Sequence, residues 1–217
     1  HEIVQEIPEN VFMINPILDN HEQLSGAGIC YLFAKALSYE NKDLATLAVI
    51  GMVGDTLEKD LVKVYSEILN DAETIVRKGL LIYPSTRPLD KALEYSASPF
   101  IPGVTGSHLG VIELLRDSAK SKTGSNYKAL YELTKEEMSN LITAVMLRYT
   151  GKVIASEIVG NLYLVKFFNK LEDAREFSAL LNACSRMDCP KVSLGLCLGN
   201  KKDREEAEKI YIEYKQN

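Results

Sequence analysis

Asp55 closes an almost uninterrupted apolar run, Leu44 to Val53 followed by Gly54, so its carboxylate stands at the end of a core element. A carboxylate so placed is either a solvated acidic turn or a ligand for a hard divalent cation, and an imidazole such as that of His1 can serve manganese as well. For His1 the ordinary alternative is a frayed terminus. Ser25-Gly26-Ala27-Gly28 opens a helical pattern with almost no side-chain bulk. Its backbone N–H groups could face a phosphate, although close helix packing accounts for the same residues equally well. Arg186 and Arg175 carry planar cationic forks suited to phosphate oxygens, with surface ion pairs as the alternative; for Arg175 the neighbours Glu172 and Asp173 are at hand. Tyr83 and Arg87 flank a proline-rich break and could stack on bases. The four cysteines, Cys30, Cys184, Cys189 and Cys197, lack paired C-x-x-C spacing and are expected to be small buried hydrophobes.

The elements that must position these groups follow from periodicity. Val11 to Ile14, stopped by Asn15-Pro16, reads as a buried strand. Ser25 is an N-cap for a helix whose face is Ile29, Leu32, Phe33, Ala36 and Leu37. The run from Leu44 to Val53 is apolar throughout, which leaves helix and strand undivided. Leu57 to Leu69 is amphipathic at helical spacing, and Ile75 to Leu81 continues the pattern toward a break. Pro84, Pro88, Pro99 and Pro102, with Gly103 and Gly106, mark an irregular connection; a helix near 107–118 and a polar loop from Lys120 to Asn126 follow. Thr134 and Glu137 form a capping-box pattern ahead of a helix through Met146. Val153 to Phe168 reads as a strand, or as a hairpin turning at Gly160-Asn161. A helix from Ala174 to about Met187, a last strand over Val192 to Leu198, and a closing helix bearing Ala207, Ile210, Tyr211 and Tyr214 complete the α/β order.

With 46% apolar and 25% charged residues in 217, the chain can bury a core and is no disordered tail. Twenty-five basic against 30 acidic residues leave a net charge of −5, which argues against a histone-like grip on nucleic acid but not against a local basic groove. No apolar run is long enough for a transmembrane helix, and a cytoplasmic location is expected by default. The opening at His1, without Met, suggests an excerpt of a longer protein.

Three segments in this order resemble the DHH phosphoesterase superfamily, specifically its archaeal RecJ-like single-strand exonucleases. His1, followed after 13 residues by Asn15-Pro16, is similar to the last histidine of the Asp-His-His motif and the asparagine-proline beyond it. Ser25-Gly26-Ala27-Gly28 stands where that family has a small-residue helix start. Ala48-Val49-Ile50-Gly51-Met52-Val53-Gly54-Asp55-Thr56 resembles the segment ending in a metal-binding aspartate. Leu181-Asn182-Ala183-Cys184-Ser185-Arg186-Met187 resembles the family's Asn-Ala-Ala-Gly-Arg-Leu run, with Cys184 for alanine and Ser185 for glycine. Asp173-Ala174-Arg175-Glu176-Phe177 looks like the archaeal branch.

The resemblance implies the later part of a DHH-type catalytic domain with an inserted helical subdomain. The corresponding boundaries are 1–84 for the catalytic core, 85–150 for the helical insertion, and 151–217 for the remainder with the start of an interdomain helix. It implies two divalent ions, manganese or magnesium, with His1 and Asp55 as catalytic residues, Asp55 as a metal ligand and His1 as a ligand of the metal or of the scissile phosphate. Arg186, Arg175, Ser25, Gly26, Gly28 and Asn182 would meet the substrate. The family's earlier aspartate and histidine motifs and its downstream domain fall outside this sequence. The implied activity is hydrolysis of single-stranded DNA or RNA, from 5′ to 3′, in replication or repair, with replication proteins of the GINS type as partners and no membrane. Two rivals stay open: a non-catalytic replication-complex subunit of the same fold, and a phosphodiesterase for oligoribonucleotides or cyclic dinucleotides.

Overall fold

The chain divides between Thr74 and Ile75 into two units, each described by itself. The computed structural model describes residues 8–18, 23–57, 63–96, 98–118, 122–123, 126–149 and 155–216.

In the first unit, the hydroxyl oxygen of Ser25 accepts the Gly28 N–H at 3.0 Å and starts helix α1 (Gly26–Leu37). A 3₁₀ turn over Tyr39–Leu44 leads into α2 (Ala45–Gly54). The apolar run is therefore a helix, buried from Ala45 to Val53 on nearly every side, as a helix without a polar face must be. Gly51 lets α1 and α2 approach: a Cβ there would lie 2.4 Å from the Ala27 Cβ. Helix α3 (Lys63–Asp71) buries Tyr65 and Ile68, and the Tyr65 hydroxyl accepts the Ser25 N–H at 2.6 Å. Asp71 accepts the Tyr31 hydroxyl at 2.7 Å and pairs with Lys35 and, at 3.4 Å, with Lys42. Val11 to Ile14 is not the buried strand that its composition suggests: it is irregular and exposed, Phe12 by 94%.

The second unit opens with strand β1 (Ile75–Leu80), where the sequence reads as a continuing helix. The left-handed backbone at Glu73 ends α3, and pairing of β1 with a later strand overrides the local spacing. Helix α4 (Leu89–Glu94) lies within the proline-rich connection, followed by α5 (His108–Ser118). A two-residue ladder, β2 (Lys122–Thr123) with β3 (Asn126–Tyr127), occupies part of the expected polar loop. The capping box forms as its residues dictate: Glu137 accepts the Thr134 N–H at 2.8 Å, Thr134 accepts the Glu137 N–H at 3.2 Å, and α6 spans Lys135–Met146.

A short turn of helix α7 (Ala155–Ile158) precedes β4 (Val159–Phe167) and β5 (Lys170–Asp173). Gly160-Asn161 is inside β4, opposite Gly79 and Lys78 of β1; the hairpin turns instead at Phe168-Asn169, both with positive φ, as a tight two-residue turn requires. The last elements are α8 (Ala174–Arg186), α9 (Pro190–Cys197) and α10 (Lys201–Gln216). Val192 to Leu198 is thus helical rather than a strand, because Pro190 supplies a helix start and only Leu196 is buried.

The fold is mixed α/β and mostly helical, with a small three-stranded antiparallel sheet in the order β1-β4-β5. One core runs from Leu80 to Leu162 and joins α4, α5 and α6 to β1 and β4 through Leu93, Leu114, Leu130 and Leu141. Phe167 packs edge-on against Phe177 at 4.9 Å under α8. Among the described residues no helix is long and apolar enough to cross a membrane. The cysteines are all free; Cys184 is buried, whereas Cys30 is exposed on α1, against the expectation for it.

Candidate functional site

Asp55 is the C-cap of α2. Its N–H donates to the Gly51 carbonyl at 2.9 Å, and its exposed carboxylate makes no hydrogen bond or ion pair among the described residues. The unpaired carbonyls of a helix C-terminus are a partial negative charge, so a carboxylate there is disfavoured by roughly 0.3–1 kcal/mol. A cation bound at that point would relieve both. Thr56, next in the chain, holds φ at +57°, a left-handed conformation that a β-branched residue adopts only under strain. His1 lies outside the described residues. Among those described, no group of three or more His, Cys, Asp or Glu side chains converges as a metal site. Asp55 is thus a single exposed carboxylate, around which no ligand set forms among the described residues.

Ser25 is 2% exposed, and its hydroxyl oxygen is committed to the Gly28 N–H. Gly28 is buried over Tyr65 and Ile68, while Gly26 is exposed with open space around its Cα. At this helix start Ser25 and Gly28 therefore meet Tyr65 and Ile68 of α3, and Ala27 meets Gly51 of α2.

The remaining candidates lie in the second unit, on α8. Asp173 caps that helix, accepting the N–H of Arg175 at 2.9 Å and of Glu176 at 3.4 Å. Arg175 is half-buried and within electrostatic range of Tyr83. Asn182 and Arg186 are both exposed and four residues apart, hence on one side of the helix, with no hydrogen bond or ion pair among the described residues. Arg186 sits in the last turn, where a cation complements the helix dipole.

Sequence reasoning misses the polar network at the base of α8. Asp173, 3% exposed, also accepts the N–H of Ser85 at 2.8 Å and the Ser85 hydroxyl. Glu176, 4% exposed, is paired with Arg87 at 2.5 Å; burial raises its pKa, with Arg87 working against the shift. Arg204 of α10 joins Glu172 at 3.3 Å and Glu208 at 2.8 Å, and burial likewise raises Glu172. Beside this network is a cavity of about 340 Å³ lined by Tyr83, Arg87, Lys91, Tyr95, Glu176 and Tyr211, among others. Tyr83 and Arg87 were visible as a pair in the sequence; Tyr95 and Tyr211 reach them only through the packing of α4 and α10.

Residues 82–162 match the DHH-CID domain, nearly the same span as the core from Leu80 to Leu162. The match links the chain to DHH-family proteins through an associated domain. The chain is also 27% identical over 218 aligned residues to the uncharacterized protein MJ0831 of Methanocaldococcus jannaschii. That alignment covers 97% of this chain and 47% of the relative, so the chain spans about half the relative's length.

Proposed function

We propose that this chain is part of a metal-dependent DHH-type phosphoesterase of the RecJ-like kind, which hydrolyses single-stranded DNA or RNA from a 5′ end. The observation that carries this reading is the DHH-CID match over 82–162, joined to an aspartate at the position where the sequence resembles the DHH metal-binding segment. Two divalent ions, manganese or magnesium, would supply a hydroxide nucleophile and neutralise charge on the attacking and leaving oxygens.

The chain's own residues have narrower tasks. Asp55 presents a carboxylate without a partner among the described residues, at the end of a buried helix, which fixes a ligand more firmly than a loop does. Asn182 and Arg186 offer an amide and a guanidinium from one edge of α8 to the strand's phosphates. Replication proteins of the GINS type are the proposed partners.

The test uses the intact protein, a labelled single strand and manganese. Asp55→Ala is expected to remove nearly all release of nucleotides while the melting temperature holds or rises, since the replaced charge faces a helix C-terminus. Hydrolysis at the wild-type rate in the variant would overturn the assignment. Strand binding without any hydrolysis by the wild type would favour the non-catalytic subunit.

A further inference from the structure

We propose that the cavity bordered by α4, α8 and α10 takes one nucleobase of a single strand, stacked against tyrosine rings with its neighbouring phosphates at Lys91 and Lys215. This rests on the reading that the protein handles single-stranded nucleic acid. A volume of about 340 Å³ is at the lower end of small-molecule sites, which run roughly 300–1,000 Å³, and suits one nucleotide unit better than a large cofactor.

The walls have the two components that sequence-tolerant strand binding requires, aromatic faces and a cationic rim. Tyr83, Tyr95 and Tyr211 supply the rings, with Ala92, Leu180 and Ile212 as apolar backing. Tyr95 is 69% exposed at the end of α4, so its ring is accessible from solvent. The cations are Arg87, Lys91 and Lys215. Lys215 Nζ lies 4.6 Å from the Tyr211 ring centre and Lys91 Nζ lies 5.8 Å from that of Tyr95, so each ring already sits beside a positive charge.

The charges that line the cavity differ in balance from the whole chain, which is at −5. Both carboxylates in the lining have a cationic partner, Glu176 in Arg87 at 2.5 Å and Glu208 in Arg204 at 2.8 Å, the latter shared with Glu172. Lys91 shares Glu94 at 3.2 Å, and Lys215 has no carboxylate partner among the described residues. Among the lining side chains alone the cations Arg87, Lys91 and Lys215 exceed the carboxylates Glu176 and Glu208 by one charge, and that charge borders aromatic surface rather than a bare basic patch.

Anisotropy of a fluorescein-labelled oligothymidylate, titrated with the intact protein in metal-free buffer, tests this without consuming the strand. Tyr95→Ala is expected to weaken binding about ten-fold, within the range for one lost stacking contact. Tyr95→Phe keeps the ring and should bind as the wild type does. Lys215→Gln should weaken binding and reduce the salt slope by about 0.7. Wild-type affinity in Tyr95→Ala, equal losses in the Ala and Phe variants, or no strand binding by the wild type would each overturn the proposal. Manganese-dependent hydrolysis of the same strand is measured in parallel. Hydrolysis with unchanged binding in the variants removes the pocket and leaves the proposed activity. Tyr95-dependent binding without hydrolysis does the reverse.

Discussion

Replacing Asp173 by alanine removes four hydrogen bonds at once, two from Ser85 and two from the first turn of α8. The lost helix cap is worth about 1 kcal/mol. The Ser85 bonds go to a charged acceptor, for which about 1.5–3 kcal/mol each is typical, but they share one oxygen and are not additive. Ser85 is fully buried, so its N–H and hydroxyl would be stranded. Removing a negative charge beside Glu176 gives a little back, since Asp173 contributes to raising that glutamate's pKa. The net expectation is a loss of about 3–4 kcal/mol, a large share of a typical domain's stability. Urea denaturation followed by far-UV circular dichroism reads it as a lower midpoint at unchanged slope. A double-mutant cycle with Ser85→Ala isolates the pair, with a coupling of about 1.5–3 kcal/mol expected. A loss under about 1 kcal/mol for Asp173→Ala, or strictly additive single losses, would refute the claim that this carboxylate ties the 85 region to α8.

Gly51→Ala should lower the melting temperature, because the methyl collides with the Ala27 Cβ; about 1–3 kcal/mol of overpacking exceeds the roughly 1 kcal/mol gained in helix propensity. Adding Ala27→Gly should restore it, and a more stable single variant would contradict the crossing. Glu172 and Glu176 have pKa values raised by burial, so their penalty is full above the folded values and fades as pH falls toward the unfolded value, where both states become protonated. Asp71, which hydrogen bonds from Lys35 and Tyr31 hold below the usual value in spite of burial, acts oppositely: its stabilisation is present above the unfolded value and is lost as pH falls through the folded one. Glu176→Gln should therefore flatten the decline in stability with rising pH just above the ordinary glutamate range, as read by melting at a series of pH values. Arg186→Ala in the intact protein should reduce the salt slope of strand binding by about 0.7 while leaving metal dependence alone; an unchanged slope would mark Arg186 as structural.

Helices with a local signal were legible: Thr134 and Glu137 announced α6, and Ser25 announced α1. Failures came where the deciding partner is distant in sequence. Ile75 to Leu80 becomes a strand because Val159 to Leu164 lies alongside, with Gly79 directly opposite Gly160, and no spacing within the segment reports that. Val192, Leu194, Leu196 and Leu198 alternate as a strand would, and the alternation misleads. Pro190 at the first turn and Gly199 at φ +78° just past the end bracket that segment as a helix; these boundary residues carry more information than the alternation between them.

The candidate site was legible in a different way, through local rules that are broken. An ordinary helix end would put glycine in the left-handed position and keep acids away from the last turn. At the end of α2 the glycine comes two residues early, as Gly54, the left-handed position is taken by Thr56, and between them stands an aspartate without a partner among the described residues. Each choice is unfavourable for the helix by itself. A core helix as well buried as α2 can carry both, and it is at functional sites that a sequence departs from its own local preferences. Ser25 and Gly28 differ from Asp55 in having partners: the Ser25 N–H donates to Tyr65, its hydroxyl accepts the Gly28 N–H, and Gly28 packs on Tyr65 and Ile68 of α3. Among the described residues the carboxylate at this strained helix end has no partner, which is why Asp55→Ala is the variant that tests the proposed metal site.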